Sequence, residues 1–273
     1  MKKFSIIIPT RDRPILFHRA IEALWTHTTH KQDVEILVVC DNDDSASQKY
    51  VRDAMSKWSQ LDINLLTRDR SEFSNKDYYN WAGALAQGDL IWCFADDLEM
   101  VKFNWDETVW NNYKGFKADK PDDIICIGVR DNTPSPSHRL PKFPCFPLFT
   151  RRARDFFGWL LHPAPPNWGV DYISYVIYHH MGRLIEINDD NYLNHICYHN
   201  KQVPSDETSM RIGRIFNKLK MRPEYSTDRV LAEECPKLRQ KLGTEIEDAK
   251  RRKQQAELDN RAATPERDRK DIV

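Results

Sequence analysis

The sequence has few glycines, and none of them forms a nucleotide-binding loop. Only nine glycines occur among 273 residues, and neither GxGxxG nor GxxxxGK(S/T) is present, which argues against a Rossmann dinucleotide loop and against a P-loop. A bound phosphate would therefore need a metal or side chains to neutralise it. The six cysteines contain no CxxC pair. Cys40, Cys93 and Cys126 fall in predicted strands, so we expect reduced, buried thiols.

Net charge and long apolar runs are absent as well. The 41 basic side chains balance 41 acidic ones, so composition gives no global reason to expect a polyanionic partner, although a local basic face stays open. No stretch approaches the length of a membrane span. The start, MKKFSIIIPTRD, has too short an apolar run before Pro9 for a secretory signal. We therefore expect a cytoplasmic protein with no membrane span, and its oligomeric state is open.

What is present is an alternation of apolar strands and helices. A mostly parallel central sheet flanked by helices, in an α/β fold, is the expected result. Gly88 should close the helix that precedes the fourth strand. The predicted strands are Phe4–Pro9, Val34–Cys40, Ile63–Thr67, Leu90–Phe94 and Asp123–Val129. The predicted helices are Pro14–Trp25, one through Val51, Met55 and Trp58, then Lys76–Gln87 and Phe103–Tyr113.

Polar side chains lie at or near the ends of three of these strands. Thr10, Asp41 and Asp96 each stand where a predicted parallel strand ends, and ligands of open α/β sheets bind at that edge. Asp97 follows Asp96, so two carboxylates lie side by side and need a cation or a local cap to offset their repulsion. Carboxylate oxygens suit Mg²⁺ or Mn²⁺ that bridges a diphosphate.

Taken in order, several segments resemble the family 2 glycosyltransferases of the GT-A fold. They are SIIIPTRDRP, VEILVVCDNDD, NWAGALAQGDLIWCFADD and, further on, WGVDYISYVIYHHMGRLIEIND, which is similar to the family's Gly-x-(Glu/Asp)-Asp segment. The resemblance covers the chain from about Lys3 to Asp206. It implies a GT-A-like domain over residues 1–205, with a nucleotide-sugar half at 1–100 and an acceptor and catalytic half at 101–205.

The resemblance also implies roles for individual residues. Asp171 takes the position of the catalytic base. Asp97 takes that of the ligand to Mn²⁺ or Mg²⁺, with a late histidine, His195 in preference to His199, closing the metal site. Base recognition is expected from Arg11, Arg68, Arg70 or Lys76. The nucleotide-sugar-binding set is Pro9, Thr10, Arg11, Asp41, Arg70, Lys76, Asn80 and Asp96.

This sequence departs from the family pattern at three places. The DxD motif reads Ala95-Asp96-Asp97, so the first carboxylate is missing and Glu99 stands in reserve. Ala82 replaces the first glycine of the helix motif. Tyr78 and Tyr79 stand where the family often has an arginine, which leaves the nucleotide open.

Each of these assignments has a structural alternative. Asp41 could cap a turn or a helix, and Asp96 with Asp97 could cap the Phe103–Tyr113 helix. Asp171 could be an acid favoured by a helix dipole, and His195 or His199 could be structural rather than a metal ligand. Trp159 and Trp168 could form an aromatic wall for the acceptor or pack in the core.

From residue 206 to 273 the chain is expected to be a charged, helical extension. Pro236 and Gly243 are predicted breaks, and the last stretch, with mixed charges and little apolar periodicity, is expected to be solvated and finally disordered. Lys250–Lys253 (KRRK) is a weak nucleic-acid signal. Residues 210–222 form a basic amphipathic segment that could contact an acceptor or a partner.

The function predicted from these features is inverting, metal-dependent transfer of a sugar from a UDP-sugar to an acceptor hydroxyl. The acceptor could be a glycan, a protein or a hydroxylated DNA base, as in bacteriophage DNA-modifying glucosyltransferases. A sugar nucleotidyltransferase is an alternative, but it would want a glycine-rich loop after the first strand, where PTRDRP stands. A non-catalytic nucleotide-sugar-binding module is the other alternative function.

Overall fold

A seven-stranded, mostly parallel sheet forms the centre of the computed structural model. The strand order is β3-β2-β1-β4-β7-β6-β8, with only β7 antiparallel to its neighbours. The structure describes residues 2–71, 73–132, 143–163, 169–187, 192–196, 229, 232–233 and 235–263. The strands of this sheet are β1 (Phe4–Pro9), β2 (Val34–Asp41), β3 (Asp62–Arg68), β4 (Leu90–Cys93), β6 (Cys126–Val129), β7 (Leu148–Thr150) and β8 (Leu184–Ile187).

Helices cover both faces of this sheet. Ile6 and Ile8 of β1 face a cluster that includes α1, α2 and α4, whereas Ile7 faces a second cluster that includes α3, α5 and α6. This two-sided burial is what the nearly continuous apolar runs of β1 and β2 require. The helices are α1 (Pro14–His27), α2 (Ser45–Lys57), α3 (Ser74–Leu85), α4 (Trp105–Ala118), α5 (Arg151–Phe157) and α6 (Val170–His180), with a short 3-10 turn at Lys31–Asp33.

A small second sheet lies beside the main one. β5 (Leu98–Met100) pairs antiparallel with β9 (Leu193–His195). Two backbone hydrogen bonds extend this pairing at its ends, from the Val101 N–H to Tyr192 O at 2.9 Å and from the Ile196 N–H to Asp97 O at 2.8 Å. The residues after β4 are therefore tied to a segment almost a hundred residues later in the chain.

A buried polar contact joins β1, β2 and the turn before β4. The Ser5 hydroxyl donates to the Glu35 carboxylate, which also accepts from the Gln87 N–H at 2.6 Å. The Gly88 N–H donates to Ser5 Oγ at 2.7 Å. A Cβ at Gly88 would lie 2.5 Å from Ser5 N, so this close approach requires glycine. Helix α3 itself ends earlier than predicted, at Leu85, and Gly88 permits the approach of the turn to β1.

The helix after residue 234 differs from its prediction. A single helix, α7, runs from Cys235 to Ala263 without a break at Pro236 or Gly243. Pro236 lies in the first turn, where its missing N–H would have no helical partner in any case. Leu242 is 6% exposed and packs in the same cluster as α5 and α6.

Polar contacts fix the same part of α7 to the domain. The Arg152 guanidinium pairs with Glu245, and the Arg239 guanidinium donates to His180 O at 3.0 Å. The first turns of α7 are therefore docked on the α/β domain.

The predictions for cysteine and for membrane spans can also be compared with the structure. Cys40, Cys93 and Cys126 are buried free thiols, as expected. Burial raises the thiol pKa at Cys40 to about 12. None of the described helices has both the length and the apolar character needed to cross a membrane. Residues 206–228 and the tail from 264, including the basic segment 210–222, lie outside the described residues.

Candidate active site

The loop between β1 and α1 presents two arginines to two different acidic clusters. Asp12, between them, has a left-handed backbone with φ 52°, which costs a non-glycine residue about 1 kcal/mol. Its N–H donates to Asp44 Oδ2 at 3.1 Å and to Ser47 Oγ at 2.8 Å. These contacts with the start of α2 hold the loop so that Arg11 and Arg13 reach opposite sides of it.

The first cluster surrounds Asp41 at the end of β2. Asp41 is 2% exposed. One Arg11 nitrogen lies 2.6 Å from Asp41 Oδ2 and 2.6 Å from Asp43 Oδ1, and hydrogen bonding to Asp43 is the main cause of a raised Arg11 pKa. The Tyr78 hydroxyl donates to the other oxygen of Asp41. Burial, reinforced by this hydrogen bond, raises the Tyr78 pKa.

Asp41 is not the cap of the helix that follows it. Asp44 is the residue before α2, and its carboxylate accepts from the Ser47 N–H at 3.0 Å. The side chain of Asp41 is instead held among Arg11 and Tyr78, at the sheet edge where ligands of such folds bind. Nucleotide binding by Asp41 stays a prediction, with its helix-cap alternative removed.

Two further residues predicted to bind the nucleotide sugar, Lys76 and Asn80, make internal contacts. Lys76 Nζ donates to Pro163 O at 3.1 Å. Asn80 Oδ1 accepts from the N–H groups of Leu160 and Leu161, both at 2.9 Å, while its Nδ2 donates to Leu161 O at 2.9 Å. These hydrogen bonds of Asn80 connect α3 to the backbone of the segment after α5.

Arg68 and Arg70 differ in their surroundings. The Arg68 guanidinium lies over the Tyr78 ring at 5.5 Å and the Trp81 ring at 5.2 Å, which places a cation beside the Asp41 cluster. Arg70 is exposed in the loop after β3, and its charge contributes to lowering the Asp43 pKa. Both residues stand close enough to this cluster to keep base recognition open.

The second cluster contains the two adjacent carboxylates after β4. Asp96 is 4% exposed and accepts from the Thr10 hydroxyl at 2.8 Å. An Arg13 nitrogen lies 3.2 Å from Asp96 Oδ1 and 3.6 Å from Asp97 Oδ2. Burial raises the Asp96 pKa to about 7, with Arg13 opposing the shift and Asp97 adding to it. Neither carboxylate caps α4, because Asn104 precedes its first residue.

His195 reaches this second cluster through the pairing of β5 with β9. Leu98 stands opposite His195 in that ladder, and His195 Nε2 lies 3.7 Å from Asp97 Oδ1. The His195 ring packs edge-on against Phe146 at 4.9 Å. The preference for His195 over His199 as the neighbour of Asp97 is consistent with this geometry, while His199 lies outside the described residues.

The side chains of Asp97 and His195 fit a divalent ion that a substrate also helps to bind. Two ligand atoms that each bind Mg²⁺ at about 2.1 Å stand about 3 to 4 Å apart, and the Asp97–His195 separation is 3.7 Å. Carboxylate oxygen with imidazole nitrogen suits Mn²⁺ as well. Within the described ranges no group of three or more His, Cys, Asp or Glu side chains could hold an ion. Substrate phosphate oxygens and water are the usual additional ligands of Mg²⁺.

Asp171 lies in the first turn of α6. Gly169, with φ 83°, precedes the helix, and Asp171 Oδ1 accepts from the Tyr172 N–H at 2.9 Å. Although the residue keeps some exposed surface, the protein around its carboxyl raises the pKa to about 6. Asp131 adds to that shift and His195 opposes it, so the three side chains lie within electrostatic range of one another.

The predicted acceptor wall is supported least. Trp159 packs against Phe157 at 4.7 Å and the buried His162 at 5.1 Å. It packs against a hydrophobic cluster formed by Ile173, Ile177 and Cys235. This contact agrees with the alternative that Trp159 is a packing residue rather than an acceptor-binding one. Trp168 lies outside the described residues, and an acceptor role for either tryptophan stays a prediction.

Sequence reasoning missed three residues that the fold brings to the site. Arg13 is the basic residue nearest Asp96 and could have been suspected from the second arginine of TRDR. Tyr78 was noted only as a departure from the family pattern, although its hydroxyl binds Asp41. Asp131 carried no local signal, because it is far from Asp171 in sequence and only the fold brings the two within electrostatic range.

Comparison with known proteins gives one partial relative in sequence. No protein-family model matches the chain. The O-antigen biosynthesis protein RfbC of Myxococcus xanthus is 31% identical over 108 residues, which are 39% of this chain and 8% of that protein. The match therefore spans less than a tenth of the curated relative.

Solved structures show a wider similarity in fold. S. aureus TarS 1–349 in complex with UDP has a TM-score of 0.55 at 14% identity, over 85% of this chain and 70% of that one. A longer TarS structure is covered to 42% of its length. Mannosyltransferase PcManGT from Pyrobaculum calidifontis, in complex with GDP-Man and Mn²⁺, has a TM-score of 0.55 at 14% identity, over 90% and 74%. The predicted GT-A-like α/β fold is thus confirmed.

Proposed function

We propose that this chain is a metal-dependent, inverting glycosyltransferase that moves a sugar from a UDP-sugar to an acceptor hydroxyl. The main support is that Asp97 and His195, nearly a hundred residues apart in sequence, lie 3.7 Å apart with Asp171 electrostatically linked to His195. A pair of metal-binding side chains beside a carboxylate with a raised pKa is what this chemistry needs. TarS 1–349 was solved in complex with UDP, and PcManGT was solved in complex with GDP-Man and Mn²⁺, which agrees with this proposal.

In the donor half of the reaction, the carboxylates and the arginines that pair with them would bind the nucleotide sugar and the metal. Asp41, held by Arg11 and Tyr78, would bind the nucleoside, and Asp96 would contact the ribose. Asp97 and His195 would hold Mn²⁺ or Mg²⁺, which when bound supplies a Lewis acid to the leaving diphosphate. Arg13 adds a positive charge beside the same position.

In the acceptor half of the reaction, Asp171 would accept the proton of the acceptor hydroxyl. The acceptor hydroxyl must lose its proton as its oxygen attacks the anomeric carbon, and a carboxylate within hydrogen-bond reach can accept it. A pKa of about 6 leaves Asp171 mostly ionised at neutral pH while keeping it more basic than an ordinary aspartate. A single displacement from the opposite face inverts the configuration, so no enzyme nucleophile is required.

Calorimetry tests the donor half directly. We expect UDP to bind with Mn²⁺ more tightly than in EDTA, and we expect GDP to bind less well than UDP. Binding without any metal dependence would favour a non-catalytic nucleotide-sugar-binding module. A panel of nucleotide sugars, screened for metal-dependent hydrolysis without acceptor, would then identify the sugar. The acceptor class and a cytoplasmic location remain open to separate tests.

A further inference from the structure

A continuous row of polar side chains links α1 to the backbone of His195. Glu99 Oε1 accepts from Arg19 at 2.6 and 2.5 Å, and Glu99 Oε2 accepts from Asn194 Nδ2 at 2.8 Å. Asn194 Oδ1 then accepts from Asn132 Nδ2 at 2.6 Å. Finally, Asn132 Oδ1 accepts from the His195 N–H at 2.7 Å. Four side chains thus connect a helix of the donor half to the proposed metal-binding histidine.

Asn132 is the member of this row that touches His195. It follows β6, and its own N–H donates to Leu193 O at 3.2 Å, so its backbone and side chain both contact β9. The amide oxygen binds β9, and the amide nitrogen binds the side chain of Asn194 on the same strand. An amide is needed for both contacts, because one side must accept and the other must donate.

The β5–β9 sheet is too small to fix His195 by itself. Only three residues of each strand pair, and an isolated two-stranded ladder is marginally stable in water. The backbone contact beside Asp97 is the 2.8 Å hydrogen bond from the Ile196 N–H, just after β9, to Asp97 O. A displacement of β9 by even 1 Å would change the 3.7 Å separation on which a shared ion depends.

We propose that Asn132 is a positioning residue that sets His195 beside Asp97 and thereby tunes the affinity of the site for a divalent ion. This inference rests on the proposed function, because it assumes that Asp97 and His195 bind the ion. Residues that orient a metal ligand through a hydrogen bond typically change metal affinity by about 10- to 100-fold when they are replaced.

The central experiment compares Asn132→Ala with the parent protein in two binding titrations. We expect Mn²⁺ affinity, followed by electron paramagnetic resonance, to fall about tenfold or more. Affinity for UDP in EDTA should stay unchanged, because it reports the nucleoside contacts. Hydrogen exchange should become faster at the His195 amide, which loses its acceptor. A general loss of stability would instead weaken both ligands together.

Matched variants separate positioning from a general effect. Asn112→Ala is the control, since Asn112 is exposed and donates to Thr108 O within its own helix; it should leave Mn²⁺ affinity unchanged. Asn132→Asp keeps an acceptor for the His195 N–H but faces Asn194 Oδ1 without a donor, so an intermediate loss is expected. Asn194→Ala breaks the row one step away and serves if Asn132→Ala does not fold.

The outcomes distinguish this inference from the proposed function. His195→Ala should itself lower Mn²⁺ affinity; should it bind Mn²⁺ like the parent, the metal assignment and the role of Asn132 both fail. If His195→Ala weakens Mn²⁺ while Asn132→Ala and Asn194→Ala do not, only the positioning role is wrong. Equal weakening of Mn²⁺ and of UDP in EDTA would also overturn it.

Discussion

The chain before residue 100 and the chain after it are organised by different kinds of contact. From β1 to β4 the strands lie in parallel, joined by helices that follow each strand in turn. After residue 100, β7 runs antiparallel between β4 and β6, and β9 leaves the main sheet to pair with β5. Repeated βα units bring strand ends to one edge automatically, whereas the later elements depend on pairings between distant segments.

This difference determines how the fold positions each functional group at the candidate active site. Asp41 and Asp96 arrive by ending parallel strands, and one loop supplies Arg11 and Arg13 to both of them. His195 and Asp171 arrive through β9 and α6, which are positioned by neighbours far away in sequence. We therefore expect substitution of Asp41 in the first half to affect donor binding, that of His195 in the second half to affect metal binding, and that of Asp171 to affect chemistry.

The largest effect is expected at Asp171, in the second half. Asp171→Asn keeps the size of the side chain but cannot accept a proton, so transfer should fall by about 10²- to 10⁴-fold. UDP and Mn²⁺ affinities should stay near parental values. The side-chain oxygen of an asparagine can still accept from the Tyr172 N–H, so near-parental turnover would reduce Asp171 to a structural residue. Asp155→Asn, on the exposed face of α5 and paired with Arg154, is the matched control.

The pH profile sharpens the same test. Because a general base must be ionised, kcat/KM of the parent should decline as the pH falls through about 6, the raised pKa of Asp171 in the free protein. kcat/KM declines towards low pH because protonation removes the ionised carboxylate, which is the active form. Measured in Asp171→Asn, this acidic limb should be absent. A limb that persists unchanged in the variant would have to belong to another group.

The next largest effect is expected at Asp97, where the two halves meet. Asp97→Ala removes a ligand itself rather than its support, so Mn²⁺ affinity should drop by more than about a hundredfold. The fold should survive, since Asp97 stands at a partly exposed strand end. Thermal unfolding and calorimetry with UDP, with Mn²⁺ and in EDTA, measure both quantities. Retained metal-dependent UDP binding would show that the metal assignment is wrong.

A smaller effect, confined to the donor, is expected at Asp41. Asp41→Ala should weaken UDP binding by about 1 to 3 kcal/mol, the range for losing a charged hydrogen bond, whether or not Mn²⁺ is present. Asp43→Ala serves as the control, because it also pairs with Arg11 but its carboxylate is largely exposed. If both variants bind UDP like the parent, Asp41 only anchors Arg11 and Tyr78.

The smallest effect on ligand binding is expected from the docked helix α7. Leu242→Ala removes a side chain that is 6% exposed in the cluster shared with α5 and α6, so it should destabilise the protein by about 2 kcal/mol. Affinity for UDP should not change. Leu85→Ala, at a position that is 50% exposed, should change stability by less than about 0.5 kcal/mol. An unchanged unfolding temperature for Leu242→Ala would mean that α7 is not docked in solution.

Several features were open to prediction because they depend on local pattern. The apolar runs of β1 and β2 were located to within one residue, since a strand buried on both faces has to be apolar throughout. Other boundaries moved: α4 spans Trp105–Ala118 and β6 begins at Cys126. Propensity alone does not decide how far a helix or strand continues into a neighbouring turn.

The sequence by itself determined the alternation of strands and helices, and with it the edge where Thr10, Asp41 and Asp96 emerge. Strand ends in parallel sheets share one edge whatever the details of packing. Only the tertiary structure decided which partner each group received: Arg13 for Asp96, Tyr78 for Asp41, and the backbone of Leu160 and Leu161 for Asn80. It also decided that His195 meets Asp97, because that contact comes from pairing β5 with a strand nearly a hundred residues later. Local periodicity carries no information about such a partner.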